Sequence, residues 1–177
     1  MPDAIEMLRE DHHKVKELFQ AFERSDERRE KERIAEQTLH ELEVHTALEE
    51  QIFYPAAQEQ VDEKERIHEA IEEHHVAKLL LGELRKMSPD DKHFDAKYKV
   101  LAESVKHHIQ DEEWRLLPQL EDTLDAERIG QRMEARKQKL EQSSAAALKR
   151  RKTPGRARTV SKRTKARRTT KKKTRRR

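Results

Sequence analysis

The sequence predicts an all-α protein: an up-down-up-down four-helix bundle made of two duplicated helical hairpins, with an extra C-terminal helix and a disordered tail. Three observations predict it. Of the 177 residues 43% are charged, while Gly (3) and Pro (5) are rare, a composition that suits long helices far better than sheet. Apolar residues recur at three- and four-residue steps. The first 120 or so residues repeat themselves at an offset of 62 to 63.

The first helix spans about residues 3–24, with Ile5, Leu8, His12, Val15, Phe19 and Phe22 along one seam. A polar break at Ser25-Asp26-Glu27-Arg28 ends it. The second, about 28–54, places Leu42, His45, Glu49, Ile52 and Ala56 on the same template. Ile67, Ala70, His74, Ala77, Leu81 and Leu84 form the seam of the third, about 62–87. Ser88 reads as an N-cap with Pro89 in the first helical position and Asp91 closing a capping box. The fourth helix, about 89–121, then carries Leu101, Val105, His108, Glu112 and Leu116. Asp125 can cap a fifth helix to about Leu148, whose sparse apolar positions predict partial docking at best. Domain limits follow: a bundle over 1–124, a helical extension over 125–148, and a tail over 149–177.

Each seam is apolar except for a His, or a His and a Glu, where a core residue belongs. Burying an unpaired polar group costs a few kcal/mol, so four repetitions imply that these groups meet one another or a ligand. The repeat agrees. Glu10-Asp11-His12-His13 matches Glu72-Glu73-His74-His75, and His45, Glu49 and Pro55 match His108, Glu112 and Pro118. His12 lies 13 residues before Ser25, and His45 and Glu49 lie 19 and 23 after Asp26. His74 lies 14 before Ser88, and His108 and Glu112 lie 19 and 23 after Pro89. At about 1.5 Å per residue these levels fall within one or two turns of each other. Positions four apart share a helix face, so each His/Glu pair can grip one ion. Four imidazoles and two carboxylates are too many for one tetrahedral zinc. They suit two ions sharing bridging carboxylates, and N/O ligation without sulfur suits Fe or Mn.

This pattern, His12, His45/Glu49 with Pro55, His74, and His108/Glu112 with Pro118, resembles that of hemerythrin-like (HHE cation-binding) domains over about residues 3–122. The resemblance implies two non-haem Fe ions, with His12, His45, His74 and His108 as terminal ligands and Glu49 and Glu112 as bridges. Oxygen-carrying hemerythrins have a second His one turn after the third-helix ligand, where this chain has Lys78. The reduced set therefore implies sensing, storing or handling iron, O2, peroxide or NO rather than reversible oxygen carriage. His13, His40, His68, His75, His93 and His107 read as surface residues, and Glu50 and Glu113 as partners that orient the ligating rings. Tyr54, level with the site, reads first as core packing and second as a hydrogen-bond donor to it; Trp114 reads as core packing, and Pro55 and Pro118 as kinks or helix ends.

The net charge of +4 averages two opposite pieces. From Lys149 onward there are 17 basic and no acidic residues, leaving 23 basic against 36 acidic over 1–148, a net charge of −13. The basic set is Lys149, Arg150, Arg151, Lys152, Arg156, Arg158, Lys162, Arg163, Lys165, Arg167, Arg168, Lys171, Lys172, Lys173, Arg175, Arg176 and Arg177. With Val160 as its only larger apolar residue the tail predicts disorder. Its cations predict sequence-independent, salt-sensitive nucleic-acid binding, and its composition resembles histone-like tails. With no aromatic residue it offers no stacking platform. The absence of Cys excludes disulfides and thiolate chemistry and fits a reducing cytoplasm. No signal peptide or run of about 18 apolar residues opens a membrane route. The expected location is cytoplasmic and nucleoid-associated, or nuclear in a eukaryote. Three functions fit: a di-iron module tethered to nucleic acid, a di-iron peroxidase or catalase-like enzyme, or a structural nucleoid protein. No dedicated general acid or base is visible for the second.

Overall fold

The computed structural model describes residues 2–61 and 64–152, with side chains omitted for residues 145 and 147–152. Among these residues every regular element is helical, and four helices form the expected up-down-up-down bundle. Helix α1 is Ala4–Arg24; Asp3 caps it, its Oδ1 accepting from the N–H groups of Ile5 (2.8 Å) and Glu6 (3.1 Å). Extended backbone at Ser25 ends it. Helix α2 runs over Arg28–Leu48, then widens into one π-helical turn over Glu49–Phe53 before a last α-turn over Tyr54–Ala57. Helix α3 is Lys64–Leu84. Helix α4 repeats the α2 pattern: Phe94–Asp111, a π-turn over Glu112–Leu116, and Leu117–Leu120.

The two π-turns come just before Pro55 and Pro118, and each helix ends two residues beyond its proline, at Ala57 and Leu120. Proline lacks an N–H and its ring collides with the carbonyl four residues back. In the widened turn the residue before each proline bonds five back instead, Tyr54 N–H to Glu49 O and Leu117 N–H to Glu112 O. Each helix therefore passes its proline. The extra residue also re-phases the seam, so that Ala57 is buried and Ala56 only partly so.

The fourth helix begins later than the capping box predicts. Ser88 Oγ accepts from Asp90 N–H (3.3 Å) and Asp91 Oδ1 from His93 N–H (2.8 Å). Such bonds to a backbone two residues on offer an alternative to helix, and two successive turns carry the chain to Phe94.

Helix α5, Ala126–Lys152, packs along α1 and α2 more closely than its sparse pattern predicts. Asp125 Oδ1 accepts from Arg128 N–H (3.2 Å), the expected cap. Ile129 and Met133 are buried, and at Gly130 the helix crosses the chain start so tightly that a Cβ would lie 2.9 Å from Ala4 N and closer still to the Pro2 carbonyl. Helix α5 also continues past Leu148, taking residues 149–152 out of the expected tail segment. The remaining tail expectations, from residue 153 on, lie outside the described residues. Among the described residues no helix is long and apolar enough to cross a membrane.

The core is divided in two. One cluster joins Ile5, Leu8, Leu48, Phe53, Ile67 and Leu117 with Met133 of α5. The other joins Phe19, Phe22, Ile34, Leu81, Phe94 and Tyr98, with Phe22 and Tyr98 stacked at 3.7 Å. The seam His and Glu residues form the layer between them.

Candidate metal centre

All six polar residues predicted from the seams point into the bundle. His12, His45, Glu49, His74, His108 and Glu112 are each at most 4% exposed. They form two linked groups: His12, His45, Glu49 and Glu112 in one, and Glu49, His74 and His108 in the other. Both carboxylates reach both sides. Glu49 Oε2 lies 3.0 Å from His45 Nε2 and 3.2 Å from His74 Nε2. Glu112 Oε2 lies 3.4 Å from His12 Nε2 and 3.5 Å from His108 Nε2. The result is two imidazole pairs, His12/His45 and His74/His108, with two carboxylates between them. Within the pairs the ring centroids are 4.9 and 4.6 Å apart.

This set is poorly satisfied by itself. Among the described residues six buried side-chain atoms have no hydrogen-bond partner, and all belong here: His12 Nε2, both ring nitrogens of His45, both oxygens of Glu49, and Glu112 Oε2. Leaving a buried polar atom unpaired costs about 1–3 kcal/mol. Here ring nitrogens and carboxylate oxygens face one another at 3.0 to 3.5 Å without closing good hydrogen bonds, so their attraction offsets that cost only in part. Cations accepting these lone pairs remove that cost, and the mixed imidazole–carboxylate donors suit a transition metal without sulfur ligation.

A carboxylate faces the outer nitrogen of every ring. His12 Nδ1 meets Glu113 at 3.1 Å, His74 Nδ1 meets Glu50 at 3.1 Å, and His108 Nδ1 meets Glu73 at 2.8 Å. Asp11 stands off from His45 Nδ1 at 3.9 Å. Three of the acids have a lysine neighbour, Lys16 on Glu113, Lys78 on Glu50 and Lys137 of α5 on Asp11, and the His107 ring lies beside Glu73. Such carboxylates fix the tautomer that leaves Nε2 free to ligate. The roles foreseen for Glu50 and Glu113 hold. Asp11 and Glu73 went unforeseen, although the repeat places an acid immediately before the lone His in both hairpins. Lys78, at the position of the absent fifth His, turns outward to Glu50.

The charges reinforce each other. Burial opposes charge on the His45 ring, yet Glu49, Asp11 and Glu112 outweigh it and lift its pKa to about 10 in the metal-free site. His108 is raised in the same way, against burial, by Glu112 and Glu73. Burial would push the Glu49 carboxyl up, but His45 and His74 hold it well below the usual range. Hydrogen bonding to His12, and to Lys16 against a burial effect, lowers Glu113 to about 2.

Of the two aromatic expectations, Tyr54 takes its second reading and Trp114 is corrected. Tyr54 does more than pack: its hydroxyl donates to Glu112 Oε1 at 2.7 Å, and burial together with the Glu112 and Glu49 charges raises its pKa well above 10. Its counterpart in the second hairpin is Leu117, which has no donor. Trp114 is 71% exposed rather than packed, because two residues beyond the inward Glu112 is the opposite face of the helix. Of the six histidines expected at the surface His13, His68, His75, His93 and His107 are exposed, and His40 is partly covered.

A family model for the hemerythrin HHE cation binding domain matches residues 3–120. A DNA nickase of Nostoc sp. is 27% identical over 140 residues, which are 77% of this chain and 40% of that protein. The chain thus spans about two fifths of the length of that curated relative. The crystal structure of a hemerythrin HHE cation binding domain-containing protein from Mycobacterium kansasii aligns with a TM-score of 0.70 at 24% identity, covering 84% of this chain and 93% of that one. This likeness is one of fold.

Proposed function

The chain belongs to the hemerythrin HHE cation-binding domain family, and on that premise we propose that it holds two iron ions between its two hairpins and uses them to sense, store or handle O2, peroxide or NO. One observation carries the reading: two imidazole pairs share two buried carboxylates, of whose four oxygens only Glu112 Oε1 has a hydrogen-bond donor, Tyr54. His12 and His45 would hold one ion, His74 and His108 the other, with Glu49 and Glu112 between them. Bound iron would supply redox and small-ligand chemistry. The protein keeps the rings oriented through Asp11, Glu50, Glu73 and Glu113, aims the Tyr54 hydroxyl at Glu112 as a hydrogen-bond donor, and excludes bulk water with an apolar cluster on either side. No residue among these is placed as a dedicated general acid or base for a substrate, so binding is favoured over a peroxidase or catalase-like activity. Metal analysis of freshly purified protein tests it: about two Fe per chain, lost in the His45→Ala, His108→Ala double variant. Protein from iron-replete cells that carries no metal would refute it, and Mn in place of Fe would correct only the metal.

The second half of the proposal concerns residues 149–177, with their 17 cations. We read them as a sequence-independent nucleic-acid tether that keeps the iron module at the chromosome. A relative named for a DNA-nicking activity gives this modest support. Deleting 149–177 is expected to abolish retention on DNA at low salt, and equal retention by the shortened chain would remove the tether. A purely structural nucleoid role predicts instead that variants lacking the six ligands compact DNA normally and show no redox phenotype.

A further inference from the structure

The two halves of the centre are related by the internal repeat, but the protein covers them differently. Over the His12/His45 half lie Ala4, Met7, Leu8, Asp11 and Ile52, and α5 packs across this wall with Ile129 and Met133 while Lys137 bonds Asp11 at 2.7 Å. At the repeat-equivalent positions over the His74/His108 half stand Arg66, Glu69, Ala70, Glu73 and Arg115. Three apolar side chains are thus replaced by charged ones, and Leu8 is replaced by the smaller Ala70. These residues line a cleft of about 20 Å³ between α3 and α4 that reaches His108 and Glu112. A second, apolar cavity of about 10 Å³, lined by residues of α2, α3 and α4, borders His45 as well as His74, His108 and Glu73. About 10–15 Å³ suffices for one water molecule, so the cleft has room for a guest of about that size.

We propose that small ligands reach the metal centre through this cleft, at the His74/His108 half, and that α5 seals the His12/His45 half against them. The proposal rests on the two-ion reading above and adds the side from which a ligand arrives. Ala70, on the cleft wall and 5% exposed, sets the width of the port. Its counterpart Leu8 shows the larger side chain in the equivalent wall, fully buried. Arg115, with 58% of its side chain exposed and ion-paired to Asp111 at 3.3 Å, stands at the rim. Leucine at position 70 would add three carbons to a space that holds about one water.

The test follows azide binding to the oxidised, metal-loaded full chain by stopped-flow absorbance. Ala70→Leu is expected to slow association at least tenfold while keeping the metal content and melting temperature of the wild type. Arg115→Ala, at the exposed rim where folding is not at stake, is expected to speed it about threefold or more. Met133→Ala, which loosens the α5 side, should leave the rate within twofold. Wild-type rates in both Ala70→Leu and Arg115→Ala would overturn the port, as would acceleration in Met133→Ala with neither cleft variant changing. Failure of the underlying reading looks different: wild-type protein without metal gives no azide signal at all, and the port falls with it.

Discussion

Replacing Glu73 by Ala should weaken one metal ion and spare the other. Glu73 Oε2 accepts from His108 Nδ1 at 2.8 Å, the shortest carboxylate–ring contact of the four. Removing an outer partner of a ligating His typically costs 10- to 100-fold in metal affinity, which is about 1.4–2.7 kcal/mol. The Glu73 side chain is 25% exposed, so water can replace part of the lost bond, and the lower end of that range applies. The expectation is therefore about tenfold. Asp11→Ala acts through a 3.9 Å contact and should cost His45 less through orientation, although it strands Lys137. A titration against a competing chelator, resolving two binding steps, gives both constants. The predicted result is one step weakened about tenfold in Glu73→Ala with the other within about twofold. Equal weakening of both steps, or none, would refute the assignment of one ion to each imidazole pair.

Three further expectations follow from the geometry. Tyr54→Phe removes a buried donor from a charged acceptor, a loss of about 2 kcal/mol and about 4–8 °C in melting temperature for a chain of this size; an unchanged melt would mean the bond contributes nothing. The folded-state pKa of His45, raised to about 10 from 6.5, stabilises the metal-free protein fully below pH 6.5 and progressively less as pH rises towards 10. Ligation requires neutral His, so protons compete with the metal, and the stabilisation that metal adds should grow over the same range; a metal-free melting temperature flat from pH 7 to 10 would contradict this. Gly130→Val should lift α5 off the Pro2–Ala4 backbone, increasing amide exchange in α5 while α3 and α4 stay protected, and wild-type exchange in α5 would show that the crossing tolerates a side chain.

Much of the site was legible because the chain states it twice. A lone His in one seam is ambiguous, but two hairpins offset by 62 to 63 residues place His12 with His74 and His45/Glu49 with His108/Glu112. The helix starts at Ala4, Arg28 and Ala126 were equally readable, since polar breaks and caps are local signals. The misses arose where competing local options were close in energy or where the contacts are tertiary. A 3.6-residue template has no slot for the extra residue of a π-turn, so the widened turn before each proline was invisible. Ser88 and Asp91 could cap a helix or close short turns, and the turns won. Asp11 and Glu73 were given no role because their ring partners, His45 and His108, lie on the neighbouring helix. Trp114 was assigned by residue type rather than by its angle from Glu112. Helix α5 docks through few but well-placed residues, Ile129, Gly130, Met133 and Lys137, which a count of apolar positions undervalues.

The claim beneath all of this is that two cations sit between His12/His45 and His74/His108, sharing Glu49 and Glu112. Native mass spectrometry of the iron-loaded chain measures it directly. The account predicts a mass increase of two irons for the intact protein, and one ion or none, never two, when Glu49→Ala and Glu112→Ala are combined. A wild-type chain that saturates at a single ion, or a double variant that still takes up two, would contradict it.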